Sequence, residues 1–596
     1  MAGLFGFFLR QSRPRQWVGD RIDRLAAGMS RRAYHRSFRD LRGSLAIGGS
    51  GPSLLRGNLE PHPGHDGCVL YMEGETYHSR DTLGEPRPGD TLWEQIRRRW
   101  KDKGAEALSE LDGLYNLVLY EPRSPEGERL SILNDRYGSR RLYYMERPEA
   151  FVFASELKAL LAWPDVDWSV DHEFVVETVC LGSVLGNKTW FREASLLPPA
   201  TVLVETKDLR SRRYWSWSSL PPPGTHAGAK RLEQLHHLWQ CAITTRLSPE
   251  PMGQQLSGGL DSRLILAEAG SRRPDWITST YGEPGSDEVR FALRCAEVAG
   301  RPWIFWHLPG PDWLARRVEL MLETDGMVDL VSLHHAGLVE PLGRLIRFEM
   351  SGYLGDLVLG DTFYACRTPL DVLGAIAYWD SPVSLDLEVV LGRVESCLSQ
   401  HYAPLWSVVD EKCRRATNGW PHLAVNDLEV RKPFMDYRFL EFCAGLTPSD
   451  RSGHSLYREL LARYYSAYAR VPYQKTGVSP VAAKWKHIAL RSYRVGYRAA
   501  RRLTARVGMP IRPWVRGAVD VARWLHDPEV RSEVRSTLIA PDAYITSHFD
   551  RQAIADTLRL ALEASEVPVE VVLNLYRVEK YLRHVRDIVA PAGSGR

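Results

Sequence analysis

The chain has 596 residues, about four times a domain of roughly 150 residues, so two or three domains with sizeable cores are expected and a small stapled scaffold is excluded. Apolar residues make up 44% and charged residues 25%, the balance of an ordinary folded protein, which argues against disordered, collagen-like and membrane-channel classes. With 77 basic and 73 acidic side chains the formal charge is only +4, which excludes a dedicated nucleic-acid binder and makes any basic partner surface local.

The chain opens on an apolar stretch, Met1 to Arg10, without the basic start or small-residue cleavage site of a secretory signal, so it is expected to be structural. The arginine-rich stretch to Arg42 carries Asp20, Asp23 and Asp40, which speaks against a transit peptide. No run approaches the roughly 20 apolar residues of a membrane span. The eight cysteines show no CxxC pair, so neither a zinc site nor a disulfide framework is indicated and a cytoplasmic location is expected. Short apolar runs at 115–120, 131–133, 142–144 and 151–153, separated by turn residues, predict a strand-rich first part. The Pro/Gly-rich stretch from Ser218 to Gly228 reads as a linker, giving domains at 1–215 and 230–596 with a connection at 216–229. Beyond it, amphipathic helices at 230–245 and 286–299 alternate with short strands at 253–256, 277–281 and 303–307, the pattern of βαβ units and a parallel sheet. From Lys484 to Arg523, eleven Lys or Arg residues face the single acid Asp520, with Trp485, Tyr493, Tyr497 and Trp514 between them. Such a segment is either a solvated helix face or a docking surface for an acidic partner.

The most informative residues are Gln255 to Arg263, QLSGGLDSR, which follow a short strand and open a helix expected to close at Gly270. Adjacent glycines and flanking hydroxyls let backbone N–H groups turn toward an anion, and the helix start adds partial positive charge. Asp261 inside a phosphate loop would repel the ligand without a cation between them, which implies Mg²⁺ on a pyrophosphate group. An ordinary Gly-rich turn is the bland alternative, but SGGxDS is far more restrictive than a lone GxGxxG.

With this loop the sequence resembles the asparagine synthetase superfamily, whose ATP-pyrophosphatase domain carries SGGxDS, and further motifs agree in order. Thr278 to Glu288 (TSTYGEPGSDE) resembles the second strand and acidic helix start, Ser351 to Gly360 (SGYLGDLVLG) the SGxGxDxxxGG loop, and Glu429 to Asp436 (EVRKPFMD) the EARxPFLD segment. Leu111 to Val118, Asn134 to Tyr144 and Phe153 to Leu160 resemble three motifs of the family's amidotransferase domain. The resemblance implies an α/β protein: an N-terminal Ntn-type amidotransferase-like sandwich, then an ATP-pyrophosphatase domain with a parallel sheet and a helical subdomain. It implies ATP on Leu256, Ser257, Gly258, Gly259, Asp261, Ser262, Thr280, Ser351 and Gly352, with Mg²⁺ on Asp261 and Asp356.

Three departures bear on the reaction. Glutamine-using members begin Met-Cys-Gly-Ile, whereas Ala2 stands here and offers no thiolate to form a thioester; Glu73 also replaces the first Asn of the family's glutamine-pocket segment, so glutamine hydrolysis is expected to be lost. Tyr353 stands where asparagine-forming members have Glu, as in lactam-forming relatives, and is either a general base or a buried structural residue. Lys475, in Val471 to Gly477 (VPYQKTG), resembles the lysine that stabilises the oxyanion in lactam synthetases, though a solvated turn residue is the alternative. Together they point to a synthetase that adenylates a substrate carboxylate and condenses it with an amine, with macrolactam formation on a lasso precursor peptide, assisted by a leader protease, as the favoured form. Amidation with free ammonia and a catalytically dead nucleotide-binding scaffold are the rivals.

Overall fold

The computed structural model describes residues 3–589 except 30–31, 53–58, 78–90, 207, 309–311, 336, 363–365, 367, 377–386, 399–405, 407, 484, 487–488, 491, 494–516 and 565–566. Ala2, His78 and most of the basic stretch 484–523, including Tyr497 and Trp514, therefore lie outside the described residues, while Trp485 and Tyr493 are exposed.

The first half builds two six-stranded antiparallel sheets. One is ordered β10-β8-β9-β1-β3-β2 from Ser195–Leu196 (β10), Tyr143–Glu146 (β8), Ala150–Ala154 (β9), Gly3–Leu9 (β1), Leu45–Pro52 (β3) and His35–Arg42 (β2). The other runs β12-β11-β7-β6-β5-β4 from Leu209–Arg213 (β12), Thr201–Glu205 (β11), Gly127–Asn134 (β7), Gly113–Ser124 (β6), Val69–Thr76 (β5) and His62–Pro63 (β4). The opening apolar run is thus a central strand. Its residues alternate between two cores: Leu4 and Phe8 meet Val69, Tyr71, Val118 and Ile132 between the sheets, whereas Phe5, Phe7 and Leu9 face outward to the helix Arg15–Gly28. This period of two is what the pleat requires of a strand covered on both faces. Beyond the second sheet, Leu70, Leu117 and Leu119 pack against Ile96 of the helix Leu92–Lys103, whose Thr91 and Glu94 form a reciprocal cap.

The second half holds a five-stranded parallel sheet, β15-β14-β13-β16-β17, from Trp303–His307 (β15), Ile277–Gly282 (β14), Met252–Gln255 (β13), Phe348–Met350 (β16) and Glu429–Arg431 (β17). The chain steps outward from β13 to β14 and β15, then returns to lay β16 and β17 on the other side of β13. The boundary between β13 and β16 is a topological switch point, where open parallel sheets place their ligand crevice. The helix after β13 runs Asp261–Arg272, past Gly270, where the sequence suggested a stop. The helix ends where Pro274 forces Arg273 into an extended conformation. Ser286 caps the helix Asp287–Ala299 by accepting from Val289 N–H, and Gly300 closes it in the left-handed region.

The two halves are joined by buried charge. Arg246, 1% exposed, donates to Asp112 at 2.6 Å and to Asp436 at 2.8 Å, Arg431 grips Glu75 with bonds of 2.8 and 2.7 Å, and Arg140 donates to Glu429. The C-terminal helix Val569–Val589 returns to the first half, where Tyr581 lies 4.7 Å from the ring of Trp190 and Asn574 donates to the Val179 carbonyl. Burial pushes Asp112 up to about 8 even beside Arg246. Arg246→Met, which strands two buried acids, is expected to cost about 3–5 kcal/mol, read as a lower urea midpoint at unchanged slope. Among the described residues no helix is long and apolar enough to cross a membrane.

Candidate active site

At the C-terminal ends of β13, β14 and β16 lies a cleft of about 400 Å³ lined by Leu256, Ser257, Asp261, Ser262, Thr280, Ser351, Gly352 and Tyr353. The loop after β13 holds itself: Ser257 N–H donates to Ser262 Oγ at 3.1 Å, Gly259 N–H donates to Ser257 Oγ at 3.1 Å, and the two hydroxyls lie 3.0 Å apart. No side chain caps the helix that follows, so its first-turn N–H groups face the cleft's anion position. A Cβ on Gly258 would sit 2.9 Å from Gln474 Cβ and 3.2 Å from Glu288 Cα, so only glycine lets these segments close around the loop. Thr280 shapes the floor by donating to the Leu256 carbonyl at 2.7 Å, and Ser351 Oγ accepts from Tyr353 N–H at 3.3 Å.

Asp261 and Asp356 meet across this cleft. Gly355 packs so tightly on Asp261 that a Cβ there would lie 2.5 Å from its carboxyl carbon. Asp261 accepts from Tyr457 Oη at 2.9 Å, and burial, then the charge of Asp356, pushes its carboxyl up to about 7. Burial also raises Asp356, but hydrogen bonds from His454, Lys475 and Thr362 outweigh it and hold the group below the ordinary carboxylate range. Ligand atoms of Asp356, Asp361 and His454 lie within 4.8 Å of one another and can hold a divalent cation. Asp261 lies outside that group but carries its acid to the same corner, which fits a hard cation bridging to phosphate.

Lys475 Nζ lies 2.8 Å from Asp356 Oδ2 on a half-exposed side chain. Its loop is fastened to the phosphate loop: Gln474 N–H donates to the Gly258 carbonyl at 3.1 Å, and buried Arg263 donates to the carbonyls of Tyr468, Val471 and Pro472 at 3.1, 2.8 and 2.8 Å. Lys475 therefore stands beside Asp356 on a loop fastened to the phosphate loop.

Tyr353 reaches the cleft, but burial pushes its phenol well above its ordinary value. A base requires the opposite shift, so the phenol as it stands is a proton donor. Lys432, buried and lowered by that burial to about 7, donates to Asn418 Oδ1 at 2.5 Å and lies 5.0 Å from the Tyr353 ring centre. Sequence reasoning missed Asp361, His454, Tyr457, Arg263 and Lys432. Only Lys432 stands at a position a motif leaves open; Arg263 directly follows SGGLDS, and Asp361 takes the place of the last glycine of SGxGxDxxxGG.

In the first half, Glu73 is 5% exposed and accepts from Ser155 Oγ at 2.6 Å and Asn116 Nδ2 at 3.1 Å. Burial raises its carboxyl, opposed by Arg140. The first residue of β1 abuts this group, since a Cβ on Gly3 would lie 3.3 Å from Glu73 Oε1.

Comparison with known proteins gives a glutamine amidotransferase domain at residues 79–215 and an asparagine synthase domain at residues 234–364. Asparagine synthetase [glutamine-hydrolyzing] 3 of Bacillus subtilis is 29% identical over 213 residues, 34% of this chain and 34% of that protein. Putative asparagine synthetase [glutamine-hydrolyzing] 2 of Methanocaldococcus jannaschii is 24% identical over 205 residues, 33% of this chain and 39% of that protein. Asparagine synthetase B [glutamine-hydrolyzing] of Escherichia coli is 23% identical over 462 residues, 72% of this chain and 70% of that protein. The matched stretches thus span little more than a third of the first two relatives and most of the third. With a glutamine amidotransferase domain preceding an asparagine synthase domain, and a phosphate loop at the switch point of its parallel sheet, the chain carries the two domains of the asparagine synthetases in the same order.

Proposed function

We propose that the protein is an ATP-dependent, AMP-forming ligase that joins a substrate carboxylate to an amine. The observation that carries this reading is the SGGLDS loop with Asp261 on the cleft wall and the bonded pair Asp356 and Lys475 beside it. The β- and γ-phosphates of ATP would lie on Ser257 to Ser262, with Mg²⁺ held by Asp261 and Asp356. A carboxylate oxygen attacks the α-phosphorus, the bond to the bridging oxygen breaks, and pyrophosphate leaves with that electron pair. The amine nitrogen then attacks the acyl carbon, AMP departs, and the amine's surplus proton passes to a base or to solvent. Lys475, near Asp356, is suited to meet the oxyanion of this second step.

The nitrogen source is read from the first half. Ala2 carries no nucleophile, and buried Glu73 abuts Gly3, the first residue of β1. The amine is therefore taken to come from a substrate or from free ammonia. Lys475 favours a substrate amine, with a precursor peptide closed into a macrolactam as the most specific form of this reading.

The test is carboxylate-dependent exchange of labelled pyrophosphate into ATP across candidate acids and peptides. Exchange is expected; ATP binding without exchange for any of them favours a nucleotide-binding scaffold. Glutamate release from glutamine is expected to stay at background with ATP and acceptor present. Glutamate produced in step with AMP would show that another nucleophile serves the first half.

A further inference from the structure

Gln255 and Glu349, on the floor of the cleft, have no part in the chemistry proposed above. They stand on β13 and β16, the strands that flank the switch point and pair in parallel with Gly253 opposite Glu349. Glu349 is 1% exposed, and its Oε2 accepts from Gln255 Nε2 at the long distance of 3.4 Å. Gln255 Oε1 is buried with no hydrogen-bond partner, a state that is penalised unless a ligand supplies a donor. Among the described residues lining the cleft there is no Lys or Arg to pair with Glu349.

Burial pushes the Glu349 carboxyl up to about 8, so at neutral pH it is an acid with one O–H donor and one carbonyl acceptor. Gln255 bonds this carboxyl through both its side chain and its backbone, and the acid keeps its O–H to donate. The pair then offers a donor, from Glu349, beside an acceptor, Gln255 Oε1. That is the complement of an adenine edge, where an exocyclic N–H donor stands next to a ring-nitrogen acceptor. A 6-oxopurine places an acceptor where adenine has its amine, against the orphan Gln255 Oε1.

We propose that Gln255 and Glu349 read the nucleobase, selecting a 6-aminopurine over a 6-oxopurine nucleotide through side chains on the two strands of the switch point. The assignment rests on the cleft being the nucleotide site. It places the base over the ends of β13 and β16, with the triphosphate on the adjoining loop.

The experiment measures binding of ATP, inosine triphosphate and 2′-deoxyATP to the full chain by calorimetry. ATP is expected to bind roughly tenfold to a hundredfold tighter than inosine triphosphate. Glu349→Leu and Gln255→Leu should bring that ratio toward one, whereas Glu349→Gln, which keeps a donor and an acceptor, should preserve it; the ATP to 2′-deoxyATP ratio should stay constant throughout. Wild-type protein that binds no adenine nucleotide overturns the ligase reading and this inference together. ATP binding with no preference over inosine triphosphate, or a preference undiminished in both leucine variants, overturns the inference alone. So does a change confined to the 2′-deoxy ratio, which would assign the pair to the ribose. Should Glu349→Leu fail to fold, Gln255→Leu and Glu349→Gln decide the question.

Discussion

Asp261→Asn is expected to reduce carboxylate-dependent pyrophosphate exchange by on the order of a hundredfold or more while the protein remains folded. Asp261 opens the helix beneath the phosphate loop, faces Asp356, and is locked in place by Tyr457 and the bare Cα of Gly355. An amide there keeps the volume and still accepts the Tyr457 proton, but it brings no negative charge to a cation. Stability should move the other way. The unfolded chain releases this proton in the ordinary Asp range, near 3.8, whereas the folded chain holds it up to about 7. An acid whose folded pKa is raised makes the protein less stable as pH climbs between those two values. The asparagine variant loses that penalty, so above pH 7 its melting temperature should equal or exceed that of the wild type. Near-normal exchange in a folded Asp261→Asn protein would remove Asp261 from the cation's ligands and leave Asp356, Asp361 and His454 as the set.

The features legible in the sequence are those set by neighbours along the chain. The helix expected at 286–299 and the strands expected at 253–256, 277–281 and 303–307 carry their own local period and stand within a residue or so of those places. The phosphate loop is legible because backbone curvature, two hydroxyls and an acid must all fall within six residues. What was not legible depends on distant segments meeting. His454 reaches Asp356 across 98 positions and Tyr457 reaches Asp261 across 196, and no periodicity marks either. Arg263 looks like a solvated charge near a helix start, yet it is buried and satisfied by three carbonyls of a segment more than 200 residues away. The last helix, Val569–Val589, packs on the half of the protein synthesised first, a partner that no local pattern names.

Lys475→Ala is expected to separate the two steps. Its Nζ approaches Asp356 on a half-exposed side chain while Gln474 and Arg263 hold its loop against the phosphate loop, and in the proposed reaction the ammonium serves the acyl carbon rather than the leaving pyrophosphate. Charge at that place is most useful when the carbonyl oxygen becomes an oxyanion, and loss of such a preorganised donor costs on the order of a hundredfold or more. The alanine variant should therefore keep ATP affinity and much of its pyrophosphate exchange while amide product falls. Asp356 keeps His454 and Thr362 as donors in that variant, so the concentration of Mg²⁺ needed for exchange should change little. Lys475→Arg should restore little product, because a planar guanidinium does not fit a compact ammonium's place. Equal loss of exchange and product in the alanine variant would assign Lys475 to adenylation through its contact with Asp356, and the oxyanion would then need another donor.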